Sequence, residues 1–409
     1  MSQVLATSCL PQTWGASDDE LVFLGEWCRR YDLKEVWAHR SHKVHSYHWN
    51  DRDKLEKDYV YLLGVYERTL EVIVPIINDL HRVEKSHRYW RILLGPWLGS
   101  FIQILYDRFE NLRSFKTTRE DVVVAVASDV NEILLSNDMG SFSRSYSTDI
   151  WNYCLYSKIL TSLKWFRMED VPASLGYEGR GSFSTKEACN WKNNIFRSLN
   201  QLSKAVTMKG DAFLCNSYLS RAQEFSLQLK DWKVPRAWFC PREPIFELDK
   251  SLRHPVVSQT GDSFELLLKK FIFELMPKAY LEGYASLKRQ AYSEWPKEPG
   301  AVFSSNVIVS DLLRVYIAQQ AEDGTPIILG HHGGHYGSGR WFFQEDYERS
   351  ISDSYVTWGW GKSDRKIVPL GRLKKLRKRA EKISNYPDLR LVTCAWPRQS
   401  YTMYSSVVA

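Results

Sequence analysis

The sequence predicts an α/β fold built on parallel strands, and three observations carry that prediction. Short apolar runs stop abruptly in polar turns: Leu21-Val22-Phe23-Leu24 before Gly25-Glu26, Val302-Phe303 before Ser304-Ser305-Asn306, and Pro326 to Leu329 before Gly330-His331-His332-Gly333-Gly334-His335-Tyr336-Gly337. Between the second and third runs, Ser310-Asp311 opens a helical stretch from Leu312 to Gln320, and a strand, helix, strand unit of this kind pairs its strands in parallel. Finally, 409 residues with 44% hydrophobic and 25% charged content belong to a globular chain of two or three domains.

The elements follow in order. Leu21 to Leu24 is a buried strand with Glu26 just past its end. Leu55, Tyr59, Leu62, Tyr66, Leu70, Ile73, Ile77 and Leu80 step by three and four, which predicts a long amphipathic helix bent at Pro75. Ser86 caps a second helix through Trp90, Leu94, Trp97, Phe101, Leu105, Phe109 and Leu112, kinked at Gly95-Pro96. The pair reads as a helical hairpin inserted between strands, with its aromatic stripes in the core. Asp121 to Val126 is a strand and Tyr146 to Leu163 a helix. Residues 171–185, with Gly176, Gly179 and Gly181 around Arg180, read as a connection, because no strand-to-helix phosphate turn accompanies them. A helix over 186–202, a strand near Ala212 to Cys215 and a helix to Lys230 precede an irregular stretch marked by Pro235, Pro241, Pro244 and Pro255. Asp262-Ser263 starts a helical run that continues past Pro277 to about Tyr292. After the glycine loop, Tyr355 to Trp360 is a strand, residues 366–371 a linker, and Leu389 to Ala395 a further strand.

Composition excludes several functions. Seven cysteines, scattered and without a CxxC pair, fit a reducing, cytoplasmic compartment and no zinc ribbon. His39, His42, His45 and His48 recur every third residue, a spacing that drifts around a helix axis, so no metal is assigned to them. No run approaches the length needed to span a bilayer. Ten of the Lys and Arg residues fall within 362–382 against Asp364 and Glu381, which leaves the rest of the chain near neutral. That concentration argues against a nucleic-acid footprint and for a solvated helix face or contact with an anionic membrane or substrate.

LGEWC (24–28), SHRYWRILLGPWL (86–98), GTPIILGHHGGHYG (324–337), SDSYVTWGWG (352–361) and VTCAWPR (392–398) resemble the sugar transferases of bacterial O-antigen and surface-polysaccharide loci, a group similar to the GT-B glycosyltransferases that build capsule and Kdo-containing polymers. The resemblance covers essentially the whole chain. It departs at His331, where the loop of that group usually begins with Gln. It implies two Rossmann-like domains facing a cleft, with the acceptor handled by the first and the activated sugar by the second. Residues 1–361 would form the acceptor-side domain with a helical insertion over 51–115, residues 362–386 a basic linker, and residues 387–409 the beginning of the second domain, inside which the chain stops.

The implied partners are a nucleotide-sugar donor and a glycan or lipid-linked acceptor, with no cofactor and no metal. Glu26 and His335 are the candidate bases for an acceptor hydroxyl. His332, the amides of Gly333, Gly334 and Gly337, and Arg340 are candidates for a phosphate or sugar carboxylate. Ser305 and Asn306 are candidates for sugar hydroxyls, while Glu345 and Asp346 read as helix-start carboxylates. Glu26 and the histidine turn are expected to share a crevice at one rim of one sheet. Two other readings remain: a non-catalytic acceptor-binding scaffold, and a polyol-phosphate transferase.

Overall fold

A computed structural model describes residues 3–16, 18–118, 121–171, 190–258, 260–361, 364–373 and 398–405. Its strands form two parallel sheets of five. The first contains β1 (Gln3–Ala6), β2 (Glu20–Phe23), β3 (His42–Val44), β4 (Val123–Ala127) and β5 (Arg167–Val171) in the order β3-β2-β1-β4-β5. The second contains β6 (Ala212–Leu214), β7 (Ala301–Ser304), β8 (Ile327–Gly330), β9 (Ser354–Thr357) and β10 (Ile367–Pro369) in the order β10-β9-β8-β7-β6. The α/β class is as the sequence predicts, and the arrangement is consistent with a Rossmann-like GT-B plan.

Glu26 follows β2 and the glycine loop follows β8, so they stand on different sheets. The expectation of one shared rim is corrected by this division. The loops after β7 and β8 do open on one edge, since those strands are parallel neighbours, with Ser304 opposite Leu329. The expected connection over 171–185, the strand Leu389 to Ala395 and most of the basic segment and the start of a second domain lie outside the described residues.

The helices are α1 (Lys34–Trp37), α2 (Arg52–His81), α3 (His87–Thr118), α4 (Asn131–Leu134), α5 (Met139–Ser145), α6 (Asp149–Leu163), α7 (Asn190–Ala205), α8 (Arg221–Lys230), α9 (Ser263–Leu275), α10 (Tyr284–Glu294), α11 (Asp311–Glu322) and α12 (Phe343–Ile351). None of the described helices is long and apolar enough to cross a membrane. The Asp51 carboxylate accepts from the amides of Asp53 and Lys54 and so starts α2 where its apolar stripe begins.

α3 is the centre of the molecule. It packs on α2, α6 and α9 and also on α11 and α12, and its residues from Ile92 to Leu112 are almost all buried. Gly95 and Gly99, one turn apart, lie where α12 crosses: a Cβ at either would collide with the rings of Tyr347 and Phe343. Pro96 has no N–H for the carbonyl of Ile92, and the Tyr347 hydroxyl supplies the missing donor at 2.7 Å. Nearby, the fully buried Arg314 donates to the carbonyls of Leu93 and Val307 and pairs with Asp311. The Gly95-Pro96 position, where the sequence predicts a kink, therefore serves as the docking point for the second sheet's helices.

Candidate functional site

The carboxyl ends of a parallel sheet all open on one edge, and in the second sheet four such ends carry polar and aromatic side chains. They are Asn216 to Tyr218 after β6, Ser305 and Asn306 after β7, His331 to Gly337 after β8, and Trp358 to Trp360 after β9. His331 continues the ladder, its amide donating to the Val356 carbonyl at 2.9 Å. Its ring stacks on Trp358 with centroids 4.5 Å apart and planes 12° from parallel, and faces Tyr336 at 5.4 Å. The Trp360 indole donates to His331 Nδ1 at 3.4 Å, which leaves the proton of the neutral ring on Nε2. Burial lowers the His331 pKa to about 4.

His332 lies flat against Tyr218, with centroids 5.5 Å apart and planes 8° from parallel, and tilts against Tyr336. Burial lowers its pKa, against the opposing pull of a backbone hydrogen bond with Ser305. Both imidazoles are therefore neutral at pH 7. Two atoms of this cluster, His332 Nδ1 and Trp358 Nε1, are buried and make no hydrogen bond among the described residues. Such atoms cost free energy unless a water or a ligand bonds them.

The loop is held in a conformation few residues tolerate. Gly333, Gly334 and Gly337 have φ of 111°, 72° and 72°, and Asn216 and Tyr218 take φ of 52° and 61° without being glycine. Below the loop, Glu348 of α12 is fully buried and accepts from the Tyr336 hydroxyl at 3.0 Å and the Tyr355 hydroxyl at 3.3 Å. Burial raises its pKa to about 8, so it is mostly protonated at pH 7.

The predicted residues divide. His332, Ser305 and Asn306 meet at this edge. The Ser305 hydroxyl is committed to the Ser217 carbonyl at 3.0 Å, whereas the Asn306 amide reaches the Tyr218 hydroxyl at 3.2 Å. The Gly337 amide is taken by Glu345 at 2.7 Å, so Glu345 closes the loop as well as starting α12. The amides of Gly333 and Gly334 donate to no group among the described residues. Arg340 points away, to Glu56 of α2 at 3.0 Å. His335 is exposed and packs on Phe342 and Tyr404.

Glu26 sits at the edge of the first sheet, in the first turn after Gly25, and forms a bidentate pair with Arg29. It lines a cavity of about 160 Å³ with Trp27, His45, Tyr47, Asn50 and Arg398. Residues 398–405 run from that cavity to the glycine loop. Arg398 donates to the Arg29 carbonyl at 3.4 Å, Arg108 holds the Ser400 carbonyl, the Met403 amide meets Gln103 at 3.2 Å, and the Tyr404 ring lies 4.8 Å from His335. No contact joins Glu26 directly to His335 among the described residues.

Sequence reasoning missed Tyr218, Tyr336 and Glu348 as site residues. Glu348 had a signal, because it stands three residues before the core residue Ile351 on a short helix, a position for an apolar side chain. Tyr218 had none, since its left-handed backbone is set by tertiary contacts.

Chemically, the second sheet's edge offers flat faces for stacking, two neutral imidazoles, an indole donor and two backbone amides with no acceptor among the described residues. These suit a ring-bearing ligand with anionic or hydroxyl oxygens. The profile of one protein family, described as LIC12162 family transferase, matches residues 3–409. Comparison with curated proteins and with solved structures finds no match.

Proposed function

The chain belongs to the LIC12162 family of transferases, and on that premise we propose that it is a glycosyltransferase of bacterial surface-polysaccharide (O-antigen) synthesis, moving a sugar from a nucleotide-activated donor to a glycan or lipid-linked acceptor. One observation carries the reading: the unsatisfied His332 Nδ1 and Trp358 Nε1 stand beside the open amides of Gly333 and Gly334. In this reading the donor takes the second sheet's edge, where the amides meet the leaving phosphate. The acceptor takes the cavity beside Glu26.

The acceptor oxygen attacks the anomeric carbon, the bond from that carbon to the phosphate oxygen breaks, and the acceptor's proton passes to Glu26 or His335. Contact of residues 362–382 with an anionic membrane belongs to the same proposal, since a lipid-linked acceptor resides there.

Calorimetric titration of the chain with nucleoside diphosphate sugars, followed by assay of nucleotide release with polysaccharide acceptors, tests it. Donor binding that His332→Ala weakens at least about tenfold supports the reading. Binding of polysaccharide with no nucleotide affinity would instead leave a scaffold, and release driven by a nucleotide-linked polyol would move the chain to the polyol-phosphate class.

A further inference from the structure

Helix α7 is mounted with its apolar side outward. Trp191, Ile195, Leu199 and Leu202, followed by Val206 past its end, recur at steps of four and three and so form one stripe. All five are exposed, Trp191 by 55% and Leu202 by 66%, and Met208 beyond them by 70%. The opposite side is fixed inward by polar bonds. Asn200 donates to the Phe239 carbonyl at 3.1 Å and to Glu294 at 3.1 Å and accepts from the Phe239 amide at 3.0 Å. Ser203 donates to the Ala237 carbonyl at 2.9 Å, and Phe196 stacks on Phe239 at 4.8 Å. The orientation is therefore set by contacts, and an ordinary surface helix has the reverse arrangement.

Charge identifies the occupant. Between residues 190 and 210 there are four cations, Lys192, Arg197, Lys204 and Lys209, and no carboxylate. Arg197 pairs with Glu294 at 3.2 Å and Lys209 with Glu298 at 3.1 Å, and the Lys192 ammonium lies 5.7 Å from the Trp191 ring. Lys233 pairs with Asp211 at 3.1 Å, which brings the exposed Trp232 and Val234 to the same end of the helix. Glu294 and Glu298 offset two of the four cations, so the surface beside the stripe keeps a net positive charge, which a second copy docked face to face would repel. Basic residues beside an apolar stripe with a tryptophan at its start are the features of a helix lying in the boundary between lipid headgroups and acyl chains.

We infer that the outward face of α7, from Trp191 to Met208, docks the protein on an anionic phospholipid bilayer. The helix is about 24 Å long and lies in the plane of the boundary without crossing it. This surface rests on the geometry of α7 and is independent of the transferase reading and of residues 362–382.

Co-sedimentation of the full chain with phosphatidylcholine vesicles, with and without phosphatidylglycerol, tests the inference. The chain is expected to pellet with the anionic vesicles and stay in solution with neutral ones. Trp191→Gln combined with Leu202→Gln should lower the partition coefficient at least about tenfold, and Lys192→Glu combined with Lys209→Glu should weaken it in a way that added salt mimics. The substituted side chains point outward, so circular dichroism and melting temperature should not change; if the first pair does unfold the chain, Leu199→Gln alone replaces it. The inference is overturned if the chain ignores anionic vesicles, if the apolar-to-polar variants bind as well as the parent, or if only Lys374→Gln with Lys375→Gln abolishes binding. It is equally overturned if the stripe proves to hold two copies together in lipid-free ultracentrifugation.

Discussion

The Tyr336 hydroxyl donates to the Glu348 carboxyl at 3.0 Å, and this bond ties the glycine loop to the helix beneath it. The Tyr355 hydroxyl on β9 reaches the same carboxyl at 3.3 Å, so one protonatable group joins loop, helix and strand.

That group should give the fold a pH dependence on the alkaline side. Its pKa of about 8 lies above that of a glutamate in the unfolded chain, so its contribution is complete below the ordinary glutamate range and is lost as pH rises through 8. The size of the loss is on the order of 5 kcal/mol over the full titration. Melting temperatures from pH 5 to 9 should fall for the parent chain, and Glu348→Gln, which cannot ionise, should show a flatter curve. Parallel curves would mean that Glu348 does not titrate in this window.

His331 should act on the acid side with the opposite sign. Its pKa of about 4 lies below that of an unfolded histidine, so its contribution is present above about pH 6.5 and is lost as pH falls toward 4. His331→Gln loses the stack on Trp358 and should be less stable at pH 7. Urea unfolding at pH 7 and pH 4.5 should find the gap between parent and variant narrowing in acid by about 2–3 kcal/mol.

The glycines of the loop should not be equivalent. At Gly334 a Cβ meets open space, and alanine there costs only the strain of a positive φ, about 1 kcal/mol. At Gly337 the same φ of 72° is joined by a Cβ position 2.5 Å from the Trp360 indole nitrogen. Gly337→Ala should therefore cost about 1–3 kcal/mol more than Gly334→Ala in urea titrations. Equal costs would show that Trp360 swings aside.

The two candidate bases can be separated by kinetics. His335 is exposed on the loop, and His335→Ala should lower turnover about 10²-fold if it takes the acceptor's proton, with donor affinity unchanged. Glu26→Gln should do so instead if the group beside the first sheet's cavity is the base, and the Arg29 pair gives that substitution little structural cost. Full turnover in both variants removes both residues from the mechanism.

The strands and helices with strong periodicity were legible in the chain. The two long helices, the unit from β7 through α11 to β8, and the polar ends of those strands all follow from the spacing of apolar residues and from turn chemistry. Three of the edge strands, β3, β5 and β10, were not, although β6 at the fourth edge was, and β1 (Gln3–Ala6) at the centre of the first sheet was missed as well. β3 reads His42-Lys43-Val44 and β5 reads Arg167 to Val171 with exposed residues along it, because an edge strand has little apolar surface to bury and leaves no alternating pattern. Missing β1, β3, β5 and β10 hid the division into two sheets, and with it the separation of Glu26 from His335. Arg340 shows another limit: a cation near a glycine loop suggests an anion, and in this structure it pairs with Glu56 of α2, a partner no sequence spacing could give.

α3 lies against helices of both sheets, with Gly95 and Gly99 receiving α12 and the carbonyls of Ile92 and Leu93 held by Tyr347 and Arg314, so among the described residues the two halves share one packed helix. Expressing either half by itself would strip one flank of that helix to water. Any movement of one sheet against the other has to proceed by side chains sliding along a shared spine, and chimaeras that swap one half would have to carry the matching flank with it.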